Sequence, residues 1–68
     1  MTRVRLNGDV QEIARPELTE VLRALGLQPD APGVAVALNG EVVRRGSWAA
    51  TMLHDGDEIE VLTAVQGG

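Results

Sequence analysis

Two Asn-Gly dipeptides, Asn7-Gly8 and Asn39-Gly40, each stand between runs in which apolar residues alternate with others. Both residue types tolerate positive φ, which a two-residue hairpin turn demands, so each pair predicts two antiparallel strands joined by a tight turn. Before the first turn, residues 2–7 put Val4 and Leu6 on one side and Arg3 and Arg5 on the other, a half-buried strand with a wet face. Asp9 extends the turn, and Val10 to Ala14 return, with the facing of Gln11 and Ile13 left open. Around the second turn, Val34 to Leu38 read as a central strand. Val34, Val36 and Leu38 point inward, Ala35 and Ala37 line the outer face, and Glu41-Val42-Val43 returns.

Between the hairpins lies a different period. Leu18, Val21, Leu22 and Leu25 recur at i, i+3, i+4 and i+7, one side of a helix. Pro16 suits its first position, Glu17 and Glu20 its positive end, and Gly26 its stop. The polar side lacks the basic character of a membrane-surface helix, so the expected partner is the chain's own sheet. Residues 27–33 form a connection with two prolines and a glycine.

After Arg44-Arg45-Gly46, Ser47 is placed to cap a short turn through Trp48, Ala49 and Ala50. Trp48, the sole aromatic residue, is expected as a partly buried plug completed by Met52 and Leu53. Asp55-Gly56-Asp57 is a turn, since the spacing of a calcium loop is missing. The last strand, Glu58 to Ala64, directs Ile59, Val61 and Thr63 inward, leaving Leu62 as an apolar residue on an otherwise wet face. With Ala35 and Ala37 it marks a candidate docking patch, and Arg45 a candidate charged contact at its rim. These elements predict an α+β chain: a mixed sheet of four or five strands, its first and last strands parallel at the centre, crossed by one main helix.

Composition narrows the function. A chain of 68 residues makes one domain, too small to enclose a conventional deep catalytic pocket. Six arginines and no lysine against ten acidic residues give a net charge of −4, which argues against nucleic acid and permits a basic protein partner. Cysteine is absent, the only histidine is His54, and no acid–base, nucleophile or metal constellation emerges. No stretch reads as a membrane span or signal segment, so the expectation is a cytoplasmic protein. What remains is Val65-Gln66-Gly67-Gly68, following directly on a strand: a domain of residues 1–64 with a tail at 65–68. Four extended residues reach about 13 Å. Two glycines enter a channel too narrow for side chains, and the group at the tip is a carboxylate. The alternative is a frayed tail.

The chain resembles the ThiS family, the small ubiquitin-like β-grasp sulfur carriers of thiamine biosynthesis. The resemblance runs through Val4-Arg5-Leu6-Asn7-Gly8, Leu18-Thr19-Glu20-Val21-Leu22 with Leu25, and Val36 to Val43. Its more specific part is Arg45 with Trp48, then Asp55-Gly56-Asp57, then Gly67-Gly68. Glu17 stands where members often carry threonine or serine, and Arg44 where they often carry proline. Neither departure touches the tail.

The resemblance implies a carrier, not a catalyst. A ThiF-like adenylating enzyme, with ATP and magnesium of its own, converts the Gly68 carboxylate to an acyl-adenylate. Sulfur from a cysteine desulfurase or related donor replaces AMP and leaves a thiocarboxylate. Thiazole synthase, ThiG, takes that sulfur. Val65, Gln66 and Gly67 are the residues that thread the enzyme's channel. This chain itself holds no cofactor. Related carriers for molybdopterin synthesis or tRNA thiolation, and ubiquitin-like protein modifiers, share the Gly-Gly chemistry and stay open as alternatives.

Overall fold

The computed structural model describes residues 1–28 and 31–64. Its strands are β1 (Thr2–Leu6), β2 (Asp9–Ile13), β3 (Val34–Leu38), β4 (Glu41–Val43) and β5 (Glu58–Thr63). One α-helix, α1 (Leu18–Ala24), follows β2, and a 3₁₀ helix (Arg45–Ala50) follows β4. The five strands form one sheet in the order β2-β1-β5-β3-β4. β1 and β5 run parallel, with Leu6 beside Ile59; the other pairs are antiparallel. This is the ubiquitin-like β-grasp arrangement, with the sheet wrapped around a single main helix. β5 holds its centre, and β3 lies one strand away from it.

Both Asn-Gly turns form as expected, with φ of 49° and 89° at Asn7 and Gly8 and of 51° and 86° at Asn39 and Gly40. The asparagines do more than permit the turns. The Asn7 backbone N–H donates to the Ile59 carbonyl at 2.9 Å. Its side chain then accepts from the Val61 N–H at 2.9 Å and donates to the Val61 carbonyl at 3.2 Å. Asn7 thus supplies a partner to β5 after β1 has turned away. Asn39 does likewise on the other side, accepting from the Glu58 N–H at 2.9 Å and donating to Asp57 at 3.0 Å.

This double role separates two substitutions. Asn7→Gly keeps the turn conformation and loses two side-chain bonds, an expected cost of about 1–2 kcal/mol. Asn7→Ala also places an alanine in the left-handed region, adding about 1 kcal/mol. Urea denaturation of the two variants beside the parent measures both terms.

Alternation decides which strand residues meet the helix. Val4, Leu6, Ile13, Val36, Ile59 and Val61 face inward, against Leu18, Val21 and Leu22 of α1, with Trp48 and Leu53 closing one end. Leu18 and Ile59 are fully buried. Gln11 shares the inward register with its partner Val4 yet stays exposed on the edge strand, while Ile13, opposite Thr2, is buried.

Several local expectations are corrected. Pro16 does not open α1: Glu17 is the N-cap residue, in extended conformation, and pairs with Met52 as an isolated bridge. Pro16 offers its carbonyl to the Leu53 N–H at 2.8 Å, so this segment behaves as a strand until Leu18. Leu25 is 42% exposed. The helix stops at Gly26 as expected, with Leu25 as its C-cap residue, in a Schellman closure with Leu27 N–H on the Leu22 carbonyl and Gly26 N–H on the Arg23 carbonyl. That reversal brings Leu27 against the core in place of Leu25. Ser47 lies inside the 3₁₀ helix, whose N-cap position is Arg44. Trp48 is fully rather than partly buried, and its indole N–H donates to the Val43 carbonyl at 2.9 Å. Leu53 joins its cluster, whereas Met52 is 54% exposed. Asp9 belongs to β2, opposite Leu6, rather than to the turn.

Candidate functional site

The outer face of the sheet, away from α1, divides by chemistry. Around β1 and β2 it is charged: Arg3 and Glu12 pair at 3.0 Å, and Arg5 lies beside Glu58 in register. An open groove of about 590 Å³ runs there, lined among others by Met1, Arg3, Arg5 and Glu12. Around β3, β4 and the end of β5 the same face is apolar. Leu62, 68% exposed, lies directly opposite Ala35 in the β3–β5 ladder. Ala37 lies between Glu60 on β5 and Val42 on β4. Leu62, Ala35 and Ala37 therefore do share one surface. Val42, 79% exposed, extends it and escaped the sequence reading. Its position directly across the Asn39-Gly40 hairpin from Ala37 was the signal available for it.

β5 is the element that carries this face towards residues 65–68. Beyond its last pair, Val34 with Thr63, the Ala64 N–H donates to the Gly33 carbonyl at 2.7 Å. Val65, Gln66, Gly67 and Gly68 lie outside the described residues. Arg45 opens the 3₁₀ helix and is exposed, but its guanidinium is engaged. It sits over the Trp48 ring, 4.5 Å from the centroid, and donates to the Ala31 carbonyl.

The remaining polar candidates are occupied by local structure. Asp55 accepts from the Arg3 N–H at 2.8 Å. Asp57 accepts from the His54 N–H at 2.8 Å and from Asn39 at 3.0 Å. Gly56, at φ +89°, completes that turn. His54 has an 82% exposed side chain, 3.8 Å from Asp57. Among the described residues no group of three or more His, Cys, Asp or Glu gathers where it could hold a metal. No helix of the described residues is long and apolar enough to cross a membrane.

Comparison with known proteins agrees with this arrangement. The model of the ThiS family matches residues 4–68. The sulfur carrier protein ThiS of Thermus thermophilus is 38% identical over 65 residues, covering 96% of this chain and 98% of that protein. A protein of Magnetococcus marinus named thiazole synthase is 37% identical over 67 residues. That match covers 97% of this chain but only 20% of the relative, so the chain spans about a fifth of its length. Among solved structures, the crystal structure of the thiamine biosynthesis protein ThiS from Geobacter metallireducens superposes with a TM-score of 0.76 at 36% identity. It covers 98% of this chain and 100% of that one. A solution structure of a Geobacter metallireducens thiamine biosynthesis protein gives 0.77 at 37% identity, over 98% and 88% of the two chains. A family match over nearly the whole length, a relative matched end to end and a shared fold together establish that this chain belongs to the ThiS family of sulfur carrier proteins.

Proposed function

We propose that this protein carries sulfur for the thiazole ring of thiamine on the carboxyl group of Gly68. The observation that carries the reading is the family match, which continues through residue 68. The chain is a carrier in this scheme, and enzymes act on it.

A carboxylate is a poor acyl donor until its oxygen becomes a good leaving group. A ThiF-like enzyme supplies one by transferring AMP from its own ATP, with magnesium. A persulfide from a cysteine desulfurase or related donor then displaces AMP to form an acyl disulfide, and a thiol cleaves its S–S bond, forming a disulfide with the donor sulfur and leaving a thiocarboxylate on Gly68. A ThiG-like thiazole synthase consumes that sulfur. The thiazole synthase of Magnetococcus marinus, which contains a segment similar to this chain, supports that assignment. Gly67, Gln66 and Val65 thread the enzyme's channel, where glycine admits a close wall and a side chain at 67 does not. ATP, the activating enzyme and this carrier meet in the cytoplasm.

The apolar half of the outer face is the docking surface for these enzymes. Leu62 lies six residues before Gly68 on one continuous stretch of chain, so an enzyme gripping it can place a nucleotide within about 20 Å. Leu62 is mostly exposed and Ala35 lies beside it without bulk, an arrangement that suits an apolar anchor entering from a partner.

Leu62→Asp tests the surface. Its affinity for the activating enzyme is expected to fall at least tenfold, about 1.4 kcal/mol, with the urea midpoint unchanged. Titration calorimetry with the activating enzyme and with thiazole synthase measures it. Unchanged affinity for both removes this face from the account.

A further inference from the structure

The connection between α1 and β3 returns to the sheet where β5 ends, and we infer that it aims the tail: Gly33, backed by Arg45, is a positioning residue for the Gly68 carboxylate. The inference rests on the reading of Gly68 as the modified group.

Gly33 differs from the other described glycines. Gly8, Gly26, Gly40 and Gly56 also adopt positive φ, yet a Cβ added at any of them meets nothing within 4 Å. Gly33 combines φ of +73° with a close approach: its Cβ would lie 3.2 Å from the Ala64 Cβ. Its carbonyl accepts the Ala64 N–H at 2.7 Å. This extends the β3–β5 ladder one residue past the Val34–Thr63 pair, to the last residue before the tail.

The loop that holds Gly33 is itself braced. The Ala31 carbonyl accepts from the Arg45 guanidinium, which is stacked on Trp48. Trp48 is 4% exposed and fixed by its bond to Val43. Pro32, with its φ set by the ring, joins Ala31 to Gly33. A continuous series of contacts thus runs from the core through Trp48, Arg45, Ala31 and Gly33 to Ala64.

Direction at Ala64 matters because an angular error grows along the tail. For a tail drawn out extended in an enzyme's channel, a rotation of about 20° at Ala64 moves a carboxylate about 13 Å away by about 4–5 Å. Displacements of even about 1 Å are costly to a reaction that depends on alignment. Loss of the brace should therefore lower the rate of adenylation more than the affinity, since the outer face is untouched.

Three full-length variants test this: Gly33→Ala, Arg45→Gln, and Ala64→Pro, which replaces the donated N–H with a ring carbon and so breaks the bond to the Gly33 carbonyl from the strand side. Amide hydrogen exchange on the free protein comes first. Ala64 should exchange at least about tenfold faster in Gly33→Ala and Arg45→Gln, with Val36 and Ile59 held within about twofold. Adenylation by purified activating enzyme comes second, read as pyrophosphate release. All three variants should lose about tenfold in kcat, with KM changed less than about threefold. Should Gly33→Ala destabilise the core amides as well, Ala64→Pro carries the kinetic test. Unchanged Ala64 exchange in Gly33→Ala and Arg45→Gln, or unchanged kcat in Ala64→Pro, overturns the aiming role. A parent chain that the enzyme fails to adenylate contradicts the Gly68 reading itself, a separate outcome.

Discussion

Adding one residue after Gly68 is expected to lower adenylation by at least about a hundredfold while leaving the domain folded. The added residue turns the Gly68 carboxylate into an amide carbonyl and moves the free carboxylate about 3.5 Å further on. An oxygen aligned with the α-phosphate of ATP cannot tolerate that displacement, and the amide has no nucleophilic carboxylate to replace it. Folding is not at stake, because the buried core identified among the described residues extends no further along the chain than Val61. Gly67→Leu should act in the same direction by widening the tail inside the channel. ATP–pyrophosphate exchange catalysed by the activating enzyme measures the activity, and circular dichroism the fold. A one-residue extension adenylated at the parent rate would remove the carboxylate of Gly68 from the mechanism.

Leu18→Ala is expected to cost about 2–5 kcal/mol, because its side chain is fully buried between α1 and the sheet and the site cannot collapse freely around the void. A chain of this length has a total stability of about 3–10 kcal/mol. One substitution thus removes a large share of the folded state. Leu25→Ala, on the same helical period, should cost under about 1 kcal/mol, because Leu25 already stands 42% exposed. Urea denaturation of the two variants separates a core position from one that only resembles it. Equal costs would mean that Leu25 packs against the core in solution.

That contrast shows what a sequence can and cannot reveal here. The hairpins were legible because the Asn-Gly turn signal and the two-residue alternation are local. The parallel pairing of β1 with β5 followed from the need to bury Val4, Leu6, Ile59 and Val61 under one helix. Leu25 was misplaced although Gly26 was read correctly as the stop of the helix, because period alone does not show which residue the closing reversal turns inward. Gly26 ends the helix by a Schellman closure, and the chain reversal hands the buried place to Leu27. Pro16 was misplaced because its carbonyl is used by Leu53, a partner far along the chain. The bonds from Asn7 to Val61 and from Asn39 to Glu58 were invisible for the same reason. At the site, Leu62 announced itself as an apolar residue on a wet face, and its pairing with Ala35 holds. Val42 did not, since two adjacent valines on a short returning strand leave open which of them faces inward. Gly33 read as loop punctuation; only the fold brings it against Ala64. The chemistry of Gly68 rests on its tail sequence and on the family, not on a packed constellation.

The most direct test of the carrier account is intact-protein mass spectrometry after incubation with ATP, magnesium, the activating enzyme and a sulfur donor. The account predicts a mass gain corresponding to exchange of one oxygen for one sulfur. Fragmentation should place it at Gly68, with Met1 and Met52 unmodified, and addition of thiazole synthase with its other substrates should return the mass to its starting value. Sulfur transfer that proceeds through the reconstituted system while Gly68 keeps its original mass would contradict it.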